Sequence, residues 1–170
     1  MCGSTVRMQP FFQRSTLHER ERNVNHRFRK MLLDDLPFVM AIESRTYATP
    51  WTETMFRSEF ANRTALVQVI ELMADSRWQL RGYAVCWIVV DELHILNIAI
   101  DSKVRRLGLG RRLLESILES ARQSHCRIVT LEVRRGNFAA QALYSSFGFV
   151  SEGLRRHYYQ DNVEDAVIMN

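Results

Sequence analysis

The sequence predicts an α/β fold, a mixed β-sheet with helices on both faces. Three observations carry that expectation. Residues 80–90 form an apolar run rich in Val, Ile, Tyr and Trp, and the short Asp91-Glu92 turn leads from it into a second run, residues 93–100. After a glycine-containing turn, Leu113, Leu114, Ile117, Leu118 and Ala121 recur at the spacing of one helical face. A further strand pattern (128–134) and a further helix pattern (137–147) then alternate, and two closing strands follow.

Taken in order, residues 1–24 show no sustained period, and charged residues dominate from His18 to Arg22. They are expected to be a flexible basic extension, with the folded domain over residues 25–170. Residues 25–31 read as a short strand. Asp34-Asp35 opens a helix to about Arg45, with Pro37 tolerated in its first turn and Leu36, Val39, Met40 and Ile42-Glu43 along its stripe. Residues 47–51 are a loop containing Pro50. Thr52 is placed to cap the next helix, whose Met55, Phe56 and Phe60 share a face. Residues 65–72 are a strand and 74–77 a turn into the central pair. Asn137 caps the last helix, which Gly148 stops after Phe147. Residues 149–151 and 164–169 are the final strands.

Bulk properties narrow the function classes. A chain of 170 residues, 46% hydrophobic, fits one domain with a single core. No apolar run reaches the roughly 18 residues of a membrane helix, so no membrane partner is expected. Cys2, Cys86 and Cys126 are too few and too scattered for a disulfide framework or a zinc site, which points to a cytoplasmic protein without a metal. The net charge is +4. The first 30 residues hold Arg7, Arg14, Arg20, Arg22, Arg27, Arg29 and Lys30 against Glu19 and Glu21, so the basic excess belongs to this end of the chain. Direct nucleic-acid binding is not expected beyond weak contact by this arm.

The chemistry-bearing stretch is Arg105-Arg106-Leu107-Gly108-Leu109-Gly110-Arg111, between a strand and a helix. Such a loop turns backbone N–H groups towards one point at the positive end of a helix, which suits a phosphate or pyrophosphate. The spacing is neither G-x-G-x-x-G nor G-x-x-x-x-G-K-[ST]. Glu132 sits in Ile-Val-Thr-Leu-Glu-Val, a strand expected to be covered on both faces. A carboxylate there would be desolvated and its pKa raised towards that of a general base near neutral pH. The bland alternative is a glutamate paired to a nearby arginine. Tyr144 lies seven residues after Asn137, so the two point the same way, away from a packing face of Ala139, Ala142, Leu143 and Phe147. A phenol there could protonate a leaving thiolate, and the bland alternative is a tyrosine at the edge of the core.

Arg105-x-x-Gly108-x-Gly110 resembles the acetyl-CoA pyrophosphate loop of the GNAT superfamily, the Gcn5-related N-acetyltransferases. The stretch Leu131-Glu132-Val133-Arg134, Asn137, Ala139-Ala140, Ala142-Leu143-Tyr144 and Phe147-Gly148-Phe149 is similar to the second half of the RimI-type ribosomal-protein alanine N-acetyltransferases. So are Tyr47 with Pro50-Trp51, Gly82-Tyr83, Arg156-x-Tyr158-Tyr159 and Glu164-Asp165-Ala166-x-Ile168-Met169. The resemblance covers about residues 25–170. It implies the GNAT fold, acetyl-CoA as co-substrate, no metal, and a protein N-terminus, that of a small-subunit ribosomal protein beginning with alanine, as acceptor. It implies Glu132 as base and Tyr144 as acid. Ile98, Ala99 and Ile100 would line the pantetheine, Arg106, Leu107, Gly108, Leu109, Gly110 and Arg111 would hold the pyrophosphate, and Asn137 would touch the cofactor. Tyr47, Tyr158 and Tyr159 would grip the substrate backbone. Two positions depart from the pattern: Ser102 stands where many members have proline, and Leu107 where glutamine or arginine is common. Two other readings fit the loop, an acetyltransferase for a small amine and a non-catalytic acetyl-CoA-binding module. Tyr158-Tyr159 speak against the first, and the joint presence of Glu132 and Tyr144 against the second.

Overall fold

The computed structural model describes residues 25–170, and the expected basic extension over residues 1–24 lies outside them. One seven-stranded sheet runs through the domain in the order β1-β2-β3-β4-β5-β7-β6. Its strands are β1 (His26–Lys30), β2 (Ala65–Ala74), β3 (Arg77–Val89), β4 (Glu92–Ile100), β5 (Ile128–Arg134), β6 (Ser151–Tyr159) and β7 (Glu164–Met169). All neighbours are antiparallel except β4 and β5. Four helices complete it: α1 (Leu36–Thr46), α2 (Glu53–Ala61), α3 (Leu109–Gln123) and α4 (Phe138–Ser145). The mixed sheet expected from the sequence is therefore present.

Two apolar layers hold the sheet. On one face, α1 and α2 set Leu36, Val39, Ile42 and Phe56 against Val67, Val69, Tyr83, Val85 and Ala99. On the other, α3 and α4 set Leu109, Leu113, Leu114, Ile117 and Tyr144 against Ile70, Cys86, Leu93, Ile95, Leu131 and Val133. Leu113, Leu114 and Ile117 are fully buried. Each such side chain stabilises by about 1.5–3 kcal/mol relative to its exposed state, which is why the α3 stripe dominates that layer.

The feature that opens a site is a bulge in β4. Val85 pairs with Asn97 but Cys86 with Ile95, so Leu96 is the extra residue. Before it Leu93 and Ile95 face the α3–α4 layer, and after it Ala99 faces the α1–α2 layer. The parallel pairing with β5 stops at the same place, its last partners being Ile95 and Leu131. Beyond that point β4 and β5 part, and the backbone of Asn97–Ile100 is left facing the gap.

Two expectations are corrected. The strand after α4 is not 149–151 but Ser151–Tyr159. It is an edge strand exposed along nearly its whole length and broken by two register shifts, so no apolar alternation marked it. Helix α4 ends at Ser145 rather than Phe147, and its packed face is rotated from the expected one. Ala140, Leu143, Tyr144 and Phe147 join the core, while Ala139 and Ala142 are exposed. An alanine-rich helix of 8 residues offers little contrast from which to fix its phase.

Candidate active site

The gap between β4 and β5 is the centre of a cleft of about 1360 Å³. The α1–α2 loop, β4, the start of α3, the end of β5, α4 and the tip of the β6–β7 hairpin line it. Among the predicted site residues, Glu132, Tyr144, Ile98, Ala99, Ile100, Arg106, Gly108, Leu109, Gly110, Arg111, Asn137, Tyr47, Tyr158 and Tyr159 all lie on its wall. Leu107 does not, and its side chain is exposed.

The glycine loop is built from its start. Buried Asp101 accepts from the backbone N–H of Lys103 at 3.1 Å and pairs with Arg45 and Arg81, each at 3.4 Å, which fixes the exit from β4. Arg106 (φ 68°) and Gly108 (φ 73°) then take the left-handed conformation, and Gly108 is the N-cap of α3. That conformation suits glycine and strains other residues. The first N–H groups of α3, from Leu109 on, have no acceptor within the helix. At Gly110 an added Cβ would meet Leu143 at 3.6 Å and Ile100 at 3.8 Å, ordinary contacts, so protein packing does not demand glycine there. Its missing side chain leaves room on the cleft wall. The residues present thus fit a pyrophosphate at the helix N-terminus, with cations Arg105, Arg106 and Arg111 on the same wall.

The other half of the cleft is a cluster of phenols and one carboxylate. Tyr47 donates its hydroxyl to the carbonyl of Ile98 at 2.6 Å. Tyr144 is 6% exposed, packs on Phe149 with centroids 5.8 Å apart, and its hydroxyl has no hydrogen bond among the described residues. Burial pushes the phenols of Tyr47 and Tyr144 well above the ordinary tyrosine range, and proximity to Tyr159 adds to it. Both stay protonated at neutral pH. Burial likewise takes Tyr159 up to about 12. Its ring lies 3.9 Å from the Arg134 guanidinium, which in turn pairs with Asp161 at 2.9 Å and Glu164 at 3.1 Å. This knot binds the hairpin tip to the end of β5.

Glu132 is not the desolvated carboxylate that the sequence suggested. Its side chain is 25% exposed, and Oε1 forms an ion pair with Nε of Arg155 at 3.0 Å. The nearby Glu132 carboxylate in turn raises the Tyr158 pKa, with burial adding to it. The physical reason is that β5, β7 and β6 are covered by helices on one face only. Leu131 and Val133 point into the α3–α4 layer, whereas Glu132 points to the open face, beside Arg155 reaching across β7. Tyr144, expected on a face the core leaves free, is instead at the edge of the core with its hydroxyl side on the cleft.

The buried carboxylate of the site is Glu43, which sequence reasoning missed. It is 0% exposed, its Oε1 accepts from the Trp51 N–H at 2.7 Å and from Nδ2 of Asn97 at 3.2 Å, and Oε2 accepts from the Tyr83 hydroxyl. Burial raises its pKa against the opposing effect of the Trp51 and Asn97 donors. A signal was present: with Leu36 and Val39 it stands at i, i+3 and i+7, so a glutamate occupies a core position of α1. Among the described residues, no group of His, Cys, Asp and Glu is arranged to hold a metal ion.

A parted parallel strand pair, a glycine turn capping the following helix, and a cleft joining the two are the features of a GNAT acetyltransferase. The model of the acetyltransferase (GNAT) family matches residues 36–149, and the chain belongs to that family. Its relatives make the likeness narrower. The ribosomal protein bS18-alanine N-acetyltransferase of Escherichia coli is 39% identical over 137 residues, 79% of this chain and 89% of the relative. The enzyme of the same name from Salmonella typhimurium is 40% identical over 137 residues, with the same two shares. The crystal structure of the E. coli ribosomal-protein-S18-alanine N-acetyltransferase superposes with a TM-score of 0.76 at 35% identity, covering 85% of this chain and 92% of that one.

Proposed function

We propose that this protein is a cytoplasmic enzyme that transfers the acetyl group of acetyl-CoA to the N-terminal α-amine of a ribosomal protein, the alanine of bS18. The observation that carries the reading is the cleft itself. It joins a helix N-terminus fit for pyrophosphate to a second compartment of Glu132, Tyr144, Tyr47, Tyr158 and Tyr159 across the parted strands. The likeness to enzymes that acetylate bS18 supports the choice of acceptor.

When bound, acetyl-CoA supplies the thioester. The chain's own groups do the rest. Gly108, Leu109, Gly110 and Arg111 at the start of α3, with Arg106, hold the pyrophosphate, Ile98–Ile100 and Asn137 flank the pantetheine arm, and Leu107 contributes only backbone. The Ile98 carbonyl is turned to Tyr47. In a strand, N–H and C=O of one residue point to the same edge, so the Ile98 N–H also faces the gap and can polarise the acyl carbonyl. A protein α-amine has a pKa near 8, so a mild base suffices to free its lone pair. Glu132, reachable from solvent, accepts that proton, directly or through water. As the amine attacks and the C–S bond breaks, Tyr144, still protonated, delivers its proton to the sulfur. Glu132 is left protonated and returns its proton to solvent; the second amine proton, shed as the adduct collapses to the amide, passes through water to the Tyr144 phenolate and restores it. No covalent enzyme intermediate is needed. Tyr158 and Tyr159 on the hairpin grip the first residues of the acceptor.

Intact-mass and tandem mass spectrometry of purified small-subunit proteins incubated with the enzyme and acetyl-CoA test the reading. Acetylation confined to the α-amine of an alanine-starting protein is expected. Acetyl groups on lysine side chains, or on small amines only, would overturn it.

A further inference from the structure

Glu43 is a fully buried carboxylate that forms no ion pair among the described residues, and the transfer chemistry does not use it. Burying a carboxylate is costly unless its oxygens are well hydrogen-bonded. A methionine or leucine would pack as well at that position of α1. What an apolar residue would not do is take the donors that converge there.

Three donors converge there, the Trp51 N–H of the α1–α2 loop, the Asn97 amide of β4 and the Tyr83 hydroxyl of β3. The α1–α2 loop is closed by Glu43 from both ends: its main-chain carbonyl accepts from the Tyr47 N–H at 3.0 Å, and its carboxylate from the Trp51 N–H at 2.7 Å. The same Oε1 accepts from Asn97, the residue after the β4 bulge and before Ile98. Between these two anchors the loop sends Tyr47 to the Ile98 carbonyl. One carboxylate therefore ties together the loop and the bulged strand.

We propose that Glu43 is a positioning residue for the acceptor: by clamping residues 47–51 onto Asn97 it fixes the wall against which the substrate's first residues lie, opposite the acetyl-CoA loop. This rests on the N-terminal acetyltransferase reading. The glycine loop itself makes none of these bonds, and its link to α1 is the looser Arg45–Asp101 pair at 3.4 Å.

The test uses Glu43→Ala and Glu43→Gln, glutamine keeping the reach and one acceptor oxygen for Trp51. Wild-type turnover of an alanine-starting peptide is measured first; its absence sinks the functional reading and leaves the clamp to be judged by hydrogen exchange. With turnover present, Glu43→Ala is expected to lower kcat/KM for the peptide by about 10–100-fold, as a displacement on the order of 1 Å does. The Kd for acetyl-CoA should stay within about twofold, and Glu43→Gln should recover most of the loss. Amide exchange should accelerate in residues 47–51 of Glu43→Ala and not in residues 105–112. Unchanged exchange in that loop, or peptide and acetyl-CoA constants moving together, would overturn the proposal. If the alanine variant does not fold, Glu43→Asp, one methylene too short for Trp51, carries the same two readouts.

Discussion

Replacing Gly82 with alanine probes the wall that the cofactor arm is proposed to lie on. Gly82 on β3 pairs with Ile100 on β4, and a Cβ built there would stand 2.5 Å from Cδ1 of Ile100, 2.7 Å from the Ala99 carbonyl oxygen and 3.0 Å from Cγ2 of Ile70. The isoleucine tips can rotate away, but the carbonyl is backbone. Restoring an ordinary contact of 3.4 Å requires the two strands to part by about 0.7 Å. Overpacking of this kind costs about 1–3 kcal/mol, and the reduced freedom of the unfolded chain returns about 0.4–1 kcal/mol. The net loss of roughly 1–2 kcal/mol corresponds to a fall in Tm of about 2–8 °C for a domain of this size. The displaced atoms belong to Ala99 and Ile100, so kcat/KM for acetyl-CoA should fall by about tenfold or more. Thermal denaturation and initial rates at varied acetyl-CoA measure both. A Tm and a kcat/KM equal to wild type would refute the close approach of β3 to β4 and with it the assignment of that wall.

Other outcomes follow from the same geometry. Gly108→Asp adds a side chain at φ 73° and a negative charge at the α3 N-terminus, so acetyl-CoA binding by calorimetry should be lost; unchanged affinity in a folded variant would sink the loop assignment. Arg29 donates to Asp35 at 2.6 and 2.8 Å and to Glu71 at 2.8 Å, tying β1 to β2 and α1. Burial would raise both carboxyl groups, but the Arg29 bonds, with Leu32 N–H on Asp35 and Arg27 on Glu71, hold them below their ordinary values of 3.8 and 4.5. Groups depressed in the folded state contribute stability above those ordinary values and lose it as pH falls through the folded ones. Urea midpoints should therefore be flat near neutrality and drop below about pH 4, and Arg29→Ala should flatten that acid limb; an unaltered limb would contradict it.

Much of this was legible in the sequence because burial wrote it there. The α3 stripe, the Thr52 and Asn137 caps, and the Ile128–Arg134 and Glu164–Met169 strands stand where the pattern put them, since each has a distinct face or a capping side chain. The glycine loop was legible for a different reason: left-handed backbone at Gly108 leaves a residue signature. The β4 bulge left none. Odd-numbered residues are buried on both sides of Leu96, Leu93 and Ile95 in one layer and Asn97 and Ala99 in the α1–α2 layer's direction, so alternation reads as one straight strand. Glu132 departs from its expected burial because an apolar run does not require two covered faces, and Ile128 at the strand start is itself 44% exposed. Edge strand β6 was invisible for the lack of a buried face, although it carries Arg155, Tyr158 and Tyr159.

The pH–rate profile of an alanine-starting peptide, for wild type, Glu132→Gln and Tyr144→Phe, puts the proposed chemistry to trial most directly. Glu132→Gln keeps shape and removes the base, so kcat should fall by roughly 10²–10⁴ at neutral pH. Its deficit should shrink as pH rises past about 8, where the α-amine loses its proton unaided. Tyr144→Phe removes only the donor to sulfur. Burial keeps the wild-type phenol protonated across the assay range, so this loss should persist at every pH, with acetyl-CoA affinity nearly unchanged in both variants. Near-wild-type rates with parallel profiles in both variants would contradict the assignment and leave Glu132 as the ion-pair partner of Arg155 and Tyr144 as a core tyrosine.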